Sequence, residues 1–152
     1  MGLDMYLYKD TYIGANYEHR NVQGVINLTS GIDNDEVHIN FNRVVSIREQ
    51  VAYWRKANHI HKWFVDNVQD GNDDCGTHFV SRDALVKLYR ICREVILKPS
   101  DAEKLLPTED GFFFGSTDYD DYYMSDVTYT ADMIDSLLAE GEDDEYYYHA
   151  SW

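Results

Sequence analysis

An apolar pattern with helical spacing, around which we expect the chain to be organised, lies between Glu49 and Gln69. At about 100° per residue, one helical face there carries Trp54, Ala57, His61, Phe64, Val65 and Val68. The pattern predicts an amphipathic helix over 49–69, with a strand continuing to about residue 50 as the alternative for its start. Because a histidine on an apolar face must find partners for both ring nitrogens, we expect distant side chains to reach His61.

Strands are predicted where apolar residues alternate with others. Residues 3–8 alternate in this way, which predicts a strand with Leu3, Met5 and Leu7 on the core. Turn-forming residues fill positions 9–35 and predict an extended loop that includes a short strand at 24–28. A second strand is predicted around Val37, Ile39 and Phe41. The apolar run Gly111–Gly115 predicts a buried strand between two glycines.

Two further helices have clear end signals. The segment 82–97 collects its apolar residues on one face and follows Ser81, a good N-cap residue. The segment 118–139 follows Ser116 and Thr117, either of which can act as the N-cap. Gly141 is a suitable residue to end that helix.

Together these elements predict an α+β fold, with about three main helices packed on a small β-sheet. A chain of 152 residues with 44% hydrophobic residues is large enough to bury one substantial core. We therefore expect a single domain over residues 1–141. The remaining segment, 142–152, is acidic, rich in tyrosine and too short to pack alone, so we expect it to be a mobile tail.

Charge is segregated along the chain. The net charge is −15, from 28 acidic and 13 basic residues. Every lysine and arginine lies at or before Lys104, whereas 13 of the acidic residues follow it. Because the last third of the chain carries carboxylates without a cation, it should repel nucleic acid and membrane surfaces and favour basic protein partners.

Signals for export and membrane insertion are absent from the sequence. Residues 1–6 lack the basic and apolar regions of a signal peptide, and no stretch approaches the ~18 apolar residues of a membrane span. We therefore expect a cytoplasmic protein. In that compartment, Cys75 and Cys92 are expected to be thiols or metal ligands rather than a disulfide.

The spacing of cysteine and histidine suggests one metal site. Cys75 and His78 have the separation of half a zinc site, and thiolate and imidazole ligands suit zinc. Since His59 and His61 point apart on a helix, only one of them can join. We take His61, Cys75 and His78 as candidate ligands, with Cys92 as a substitute. The alternative is that His61 and Cys92 are core residues.

Signatures of catalysis are weak. A Cys75 nucleophile would need a base such as His78, and the neighbouring acids Asp73 and Asp74 would oppose formation of its thiolate. The sequence contains no Walker loop, nucleophile elbow or dinucleotide-binding motif. We therefore predict no catalytic residue and favour a binding protein over an enzyme.

The acidic last helix is the main candidate for function. Its spaced carboxylates can imitate the charge of a nucleic-acid backbone toward a basic protein. The predicted partner-binding residues are Asp118, Asp120, Asp121, Asp126, Asp132 and Asp135. The alternative is an acidic surface that serves only solubility.

A small-ligand pocket is the other candidate. Aromatic rings and cations around residues 54–64, together with the run 111–117, can stack on a base and bind phosphate. The predicted pocket residues are Trp54, Arg55, Asn58, His61 and Trp63. The alternative is that the tryptophans pack in the core while the cations stay solvated.

Three segments resemble a known family. Residues 1–8 (MGLDMYLY), 53–64 (YWRKANxIHxWF) and 111–120 (GFFFGSTxYD) are similar to a group of small phage and prophage proteins that mostly lack an assigned function. The resemblance covers nearly the whole chain except 9–35 and the acidic tail, and it transfers no catalytic residue. It implies a phage or mobile-element setting, where small acidic proteins often resemble counter-defence factors such as anti-CRISPR inhibitors.

The sequence thus predicts an acidic counter-defence protein of the bacterial cytoplasm. Its expected partner is a basic nucleic-acid-binding host protein, such as a Cas9-type CRISPR effector, without direct contact to nucleic acid or membrane. The alternative is a protein that captures or cleaves a nucleotide signal in a pocket around Trp54–Phe64, with or without zinc.

Overall fold

A computed structural model of the chain describes residues 2–14, 18, 28–29, 36–37, 39–141 and 144–152. The described residues belong to two compact units. The main unit comprises Met1–Lys9 and Glu49–Trp152, and the small unit comprises Asp10–Arg48.

The described part of the chain contains four strands before the first α-helix, one strand between the first two α-helices, and one strand after the last α-helix. The strands are β1 (Asp4–Tyr12), β2 (Leu28–Thr29), β3 (Glu36–Val37), β4 (Ser46–Arg55), β5 (Thr77–Val80) and β6 (Glu145–Ser151). The helices are α1 (Asn58–Val68), α2 (Arg82–Leu97), α3 (Ala102–Leu105) and α4 (Asp121–Glu140). Four strands form one antiparallel sheet in the order β4–β1–β6–β5. The predicted α+β class is confirmed.

In the core of the main unit, alternate strand residues pack against the inner faces of the helices. Leu3, Met5 and Leu7 are fully buried, as their alternation predicted. Full burial of each such side chain contributes about 1.5–3 kcal/mol. None of the helices in the described ranges has both the length and the apolar character needed to cross a membrane.

Helix α2 follows its sequence signals closely. The Ser81 hydroxyl oxygen accepts a hydrogen bond from the Ala84 amide at 3.1 Å, an N-cap contact that stabilises a helix by about 1 kcal/mol. Helix α4 starts later than expected, because Asp120 rather than Ser116 or Thr117 is its N-cap. One Asp120 oxygen accepts from the amides of Tyr122 and Tyr123, both at 3.0 Å.

The predicted helix 49–69 was wrong over its first half. Residues up to Arg55 belong to β4, and the helix begins only at Asn58. In the strand, Ala52 and Trp54 alternate with exposed residues, a period of two that local helical spacing had hidden. Pairing with β1 decides between the two patterns, since β4 is the neighbour of β1 in the sheet. The alternative prediction, a strand that continues to about residue 50, was closer to the structure, in which β4 ends at Arg55.

The expected mobile tail was also wrong for residues 145–151. They form β6, which lies between β1 and β5 and pairs with β5 in antiparallel register, from Thr77 opposite His149 to Val80 opposite Tyr146. Tyr146, Tyr148 and Ala150 are buried. The segment is therefore an inner strand of the sheet, held by the core that its tyrosines help to form.

The run Gly111–Gly115 forms a turn instead of the predicted buried strand. The Phe114 amide donates to the carbonyl of Gly111 at 3.0 Å, which closes the turn. Phe114 is buried, whereas Phe112 is 96% exposed. Three consecutive apolar residues therefore do not share one environment here.

The small unit contains the two-residue strands β2 and β3, which pair antiparallel. The predicted strand around Val37, Ile39 and Phe41 is reduced to β3, because Phe41 begins the 3₁₀ helix Phe41–Arg43. The predicted strand at 24–28 lies outside the described residues up to position 27. Arg48 binds the buried carboxylate of Asp10 through two contacts of 2.7 and 2.6 Å.

Candidate functional site

A pocket of about 270 Å³ opens beside the turn between β4 and α1. We call it the turn pocket. Arg55, Lys56 and His59 line it from the turn and from α1, and Gly115 and Ser116 line it from the following loop. The start of α4 completes the wall with Asp118, Asp120, Tyr122, Tyr123 and Asp126.

The β4–α1 turn has an unusual backbone. Lys56 adopts a positive φ of 60°, in the left-handed region that non-glycine residues rarely occupy. Ala57, with φ −78° and ψ 68°, is the centre of an inverse γ-turn in which the Asn58 amide donates to the Lys56 carbonyl at 2.9 Å. The Lys56 amide in turn donates to the Leu3 carbonyl at 2.8 Å, which fixes the turn to the chain before β1.

Gly115 lies directly against Lys56. A Cβ atom at position 115 would meet the Lys56 Cβ at 3.0 Å, and Gly115 has a φ of 90°. Only glycine combines this conformation with so close an approach. The loop and the turn therefore meet tightly at one edge of the pocket.

Asn58 holds the loop rather than facing a ligand. Its buried amide nitrogen donates to the carbonyls of Phe114 and Ser116 at 3.0 and 2.8 Å, and its oxygen accepts from the Glu109 amide at 3.0 Å. The predicted pocket residue is thus a positioning residue that ties α1 to the pocket wall.

His59 was missed as a site residue, since the sequence placed it on the outer helical face. It is only 3% exposed, and its ring packs on that of Tyr123 with centroids 4.2 Å apart. Its Nε2 has no hydrogen-bond partner within the described ranges. Burial lowers the pKa of His59 to about 3, so the imidazole is neutral at physiological pH.

His59 also lines a second cavity, of about 220 Å³, together with Trp63 and Lys62. The indole nitrogen of Trp63 is likewise buried without a partner among the described residues. His59 therefore belongs to the walls of both cavities, and Trp63 lines the second one instead of the turn pocket.

The acids of the turn pocket differ in whether their carboxylates already accept hydrogen bonds. Asp120 is engaged as the N-cap of α4, and an Asp118 oxygen accepts a hydrogen bond from the Ser116 hydroxyl at 3.0 Å. Asp126 is half-buried, and burial, with a smaller contribution from Asp120, raises the pKa of Asp126 to about 6. Burial therefore disfavours the charged form of the Asp126 carboxylate.

The structure divides the six predicted partner-binding residues into two groups. Asp118, Asp121, Asp132 and Asp135 are exposed, and none of them forms an ion pair with lysine or arginine in the described part of the chain. Asp120 caps α4, and Asp126 faces the turn pocket. We call the set of Asp118, Asp121, Asp132 and Asp135 the acidic surface.

His61 finds its expected partners in Tyr148, a core residue, and Asp73, an exposed loop residue. Its Nδ1 lies 2.8 Å from the Tyr148 hydroxyl, and its Nε2 lies 3.1 Å from a carboxylate oxygen of Asp73. The arrangement has the order of a catalytic triad, but Tyr148 is fully buried and stacks on Phe64 at 4.0 Å. No substrate can reach this hydroxyl, so we interpret the series as structural.

Among the predicted pocket residues, Arg55 alone lines the turn pocket. Trp54 is buried and its indole nitrogen donates to the Thr130 hydroxyl at 2.8 Å, which joins β4 to α4. Trp54 and His61 are core residues, as the alternative interpretation had it.

The predicted zinc ligands do not come together. Cys75 is exposed, Cys92 is buried in α2, and His78 contacts an Asp74 oxygen at 2.8 Å. The described residues contain no group of three histidine, cysteine or acidic side chains placed to hold a metal ion. Instead, His61 contacts Asp73 and His78 contacts Asp74, two acids of the loop between α1 and β5.

No protein-family model, curated protein or solved structure matches this chain.

Proposed function

We propose that this protein acts by binding a basic nucleic-acid-binding protein of its host through the acidic surface, as a phage counter-defence factor. A Cas9-type CRISPR effector is a suitable partner, because it carries a positively charged channel for nucleic acid. The phage setting rests on the family resemblance of the sequence, and the binding mode rests on charge.

The observation that carries the proposal is a helix with exposed carboxylates and no cation of its own. Along α4, the acids Asp121, Asp132 and Asp135 are exposed, and the segment 121–140 contains no lysine or arginine. Helices ordinarily relieve such repulsion with lysines four residues away. The uncompensated charge favours a basic partner, whose lysines and arginines would provide the missing cations.

Aromatic side chains accompany the acids at the beginning of α4. Tyr122 is 82% exposed and Tyr119 is 41% exposed. Tyrosine is enriched at the energetically important positions of interfaces, since its ring buries a large area and its hydroxyl stays hydrogen-bonded. A surface with both features supports protein binding better than an acidic surface alone would.

The proposal is tested by charge neutralisation. Tagged protein is used to capture partners from a lysate of a CRISPR-carrying host, and captured proteins are identified by mass spectrometry. The triple variant D121N/D132N/D135N should reduce capture of a basic nucleic-acid-binding protein at least about tenfold, since each lost charge pair weakens binding. Competing DNA should displace the wild type from the same partner.

A matched control removes the same charge elsewhere. D70N/E94Q/E103Q replaces three exposed acids that lie outside α4 and should capture the partner as the wild type does. Equal losses of capture in both triple variants would show that only the net charge of the protein matters, and would contradict a role for the acids of α4. Capture that persists at about 1 M salt, where exposed charge pairs are screened, would contradict an electrostatic mode.

A further inference from the structure

Two cations line the turn pocket beside the start of a helix. Arg55 and Lys56 are wall residues, and α1 begins at Asn58, two residues after Lys56. The N-cap residue, Ala57, has no side chain that can accept a hydrogen bond, and the first turn of α1 contains no acid. Because a helix N-terminus carries roughly half a positive charge, this part of the pocket favours an anion such as phosphate.

His59 supplies an independent indication of a ligand. It lines the same pocket, is 3% exposed, and keeps an Nε2 without a partner among the residues described. Buried polar atoms are almost always hydrogen-bonded in folded proteins. A neutral imidazole can either donate or accept, so a polar ligand atom would satisfy it whichever ring nitrogen carries the proton.

The pocket wall also contains a hydrogen-bond acceptor. Asp126 lines the pocket, is half-buried, and forms no ion pair with a lysine or arginine of the described chain. The neighbouring Asp120 already accepts two amide hydrogen bonds as the N-cap of α4. Asp126 is thus the carboxylate available to an amino group, which would give it the donor that it lacks.

The volume of the pocket and its aromatic lining restrict the class of ligand further. At about 270 Å³, the pocket lies just below the usual range for sites of small molecules, so it suits one nucleotide and not a dinucleotide. The exposed ring of Tyr122 also lines the pocket and offers a face for stacking. An amino acid carries the same two charges but has no planar base to cover this ring.

We propose that the turn pocket binds a nucleoside monophosphate, with its phosphate beside Arg55 and Lys56 and the amino group of its base at Asp126. This site shares Asp118 and Tyr122 with the surface proposed above. The charges on which it rests, at Arg55, Lys56 and Asp126, lie outside the acidic surface, so either proposal can fail without the other.

Calorimetric titration with four probes tests the assignment: AMP, CMP, UMP and inorganic phosphate. AMP and CMP carry an exocyclic amine, whereas UMP has the same phosphate and no amine. AMP and CMP should bind at least about tenfold more tightly than UMP, because their amino group donates to the half-buried carboxylate of Asp126, whereas the O4 atom of UMP can only accept. Inorganic phosphate should bind more weakly than any of the nucleotides.

Two variants test the phosphate contact and the amino-group contact separately. R55Q should weaken AMP, CMP and UMP alike by about tenfold, and D126A should abolish the preference of AMP over UMP. The matched controls are R93Q on α2 and D132A on α4, both exposed and outside the pocket. In the wild type, AMP should shift the amide resonances of residues 56–59 and 115–116, a readout that needs no variant.

Several outcomes would overturn the assignment. They are the absence of nucleotide binding at millimolar concentration, equal affinity for all three nucleotides, and equal effects of R55Q and R93Q. Binding of L-glutamate without binding of AMP would also overturn it, since the charges would then be used by an amino acid.

Discussion

The Tyr148 hydroxyl lies 2.8 Å from Nδ1 of His61 and joins the last strand of the sheet to helix α1. Burial raises the pKa of Tyr148 well above its usual value, so the phenol keeps its proton and donates it. Nδ1 of His61 is then the acceptor, and its Nε2 carries a hydrogen toward Asp73. Burial also lowers the pKa of His61, which favours this neutral form.

The first prediction removes this donor. Y148F should lower the free energy of unfolding by about 1–3 kcal/mol, because it leaves a buried acceptor on His61 unpaired. Y146F is the control, since Tyr146 is buried in the same strand but its hydroxyl lies 3.5 Å from the Leu137 carbonyl, at the limit of a hydrogen bond. Urea denaturation at pH 7 measures both. Equal losses would show that the phenol oxygen of Tyr148 has no special role.

The fold was predictable where local signals agree. Helix α2 has an N-cap serine and a single apolar face, and it forms as expected. Between Val51 and Trp54, however, the same residues fit periods of 2 and of 3.6, and only the pairing of β4 with β1 decides. Such pairing depends on residues far apart in sequence, so local spacing cannot reveal it.

The strand β6 was hidden for a different reason. The alternation of Tyr146, Tyr148 and Ala150 with polar neighbours was visible in the sequence, but the preceding acids made the segment resemble a solvated tail. A short terminal strand is stable only when a sheet receives it. Whether residues 145–151 form a strand therefore depends on the neighbouring strands β1 and β5.

The candidate site was predictable in part. Arg55 was identified because cations and aromatics cluster around it in sequence. His59 and Asp126 were placed on solvent-facing surfaces, because helical spacing alone shows one face and cannot show that other elements cover a second one. At His59, the ring of Tyr123 from α4 provides that cover.

The second prediction concerns acid stability. His59 has a pKa of about 3 when folded and 6.5 as its ordinary value. Between these values the unfolded chain binds a proton that the folded chain does not, so the free energy of unfolding falls as pH falls through 6.5. We expect His59 to cause a loss of about 1–2 kcal/mol between pH 7 and pH 5.

The variant H59F isolates this effect. A phenyl ring keeps the contact with Tyr123 but cannot be protonated, so H59F should lose about 1–2 kcal/mol less than the wild type over the same pH interval. Urea denaturation at both pH values measures the difference. Parallel losses in the two proteins would mean that His59 is protonated without penalty in the folded state.

The third prediction has the opposite sign. The pKa of Asp126 is raised from 3.8 to about 6, so the folded chain holds a proton in that interval more tightly than the unfolded chain. Its contribution to stability is therefore lost as pH rises through 6. D126N should raise the free energy of unfolding at pH 7.5 by about 1 kcal/mol, after allowance for solvent screening of a half-buried carboxylate, and should have little effect at pH 3.5. D132N, on the exposed side of the same helix, should change stability by less than about 0.5 kcal/mol at either pH. A gain for D126N that is equal at both pH values would exclude a titrating origin.

The fourth prediction uses two glycines with positive φ. Gly115 has a φ of 90° and approaches Lys56 closely, whereas Gly71 has a φ of 76° and open space within 4 Å of the position that a Cβ atom would take. G71A should cost about 1 kcal/mol for its backbone conformation alone. G115A should cost about 1–3 kcal/mol more, because the new methyl group must displace Lys56 and strain the β4–α1 turn. Thermal denaturation compares the two, and equal losses would show that the loop and the turn are free to separate.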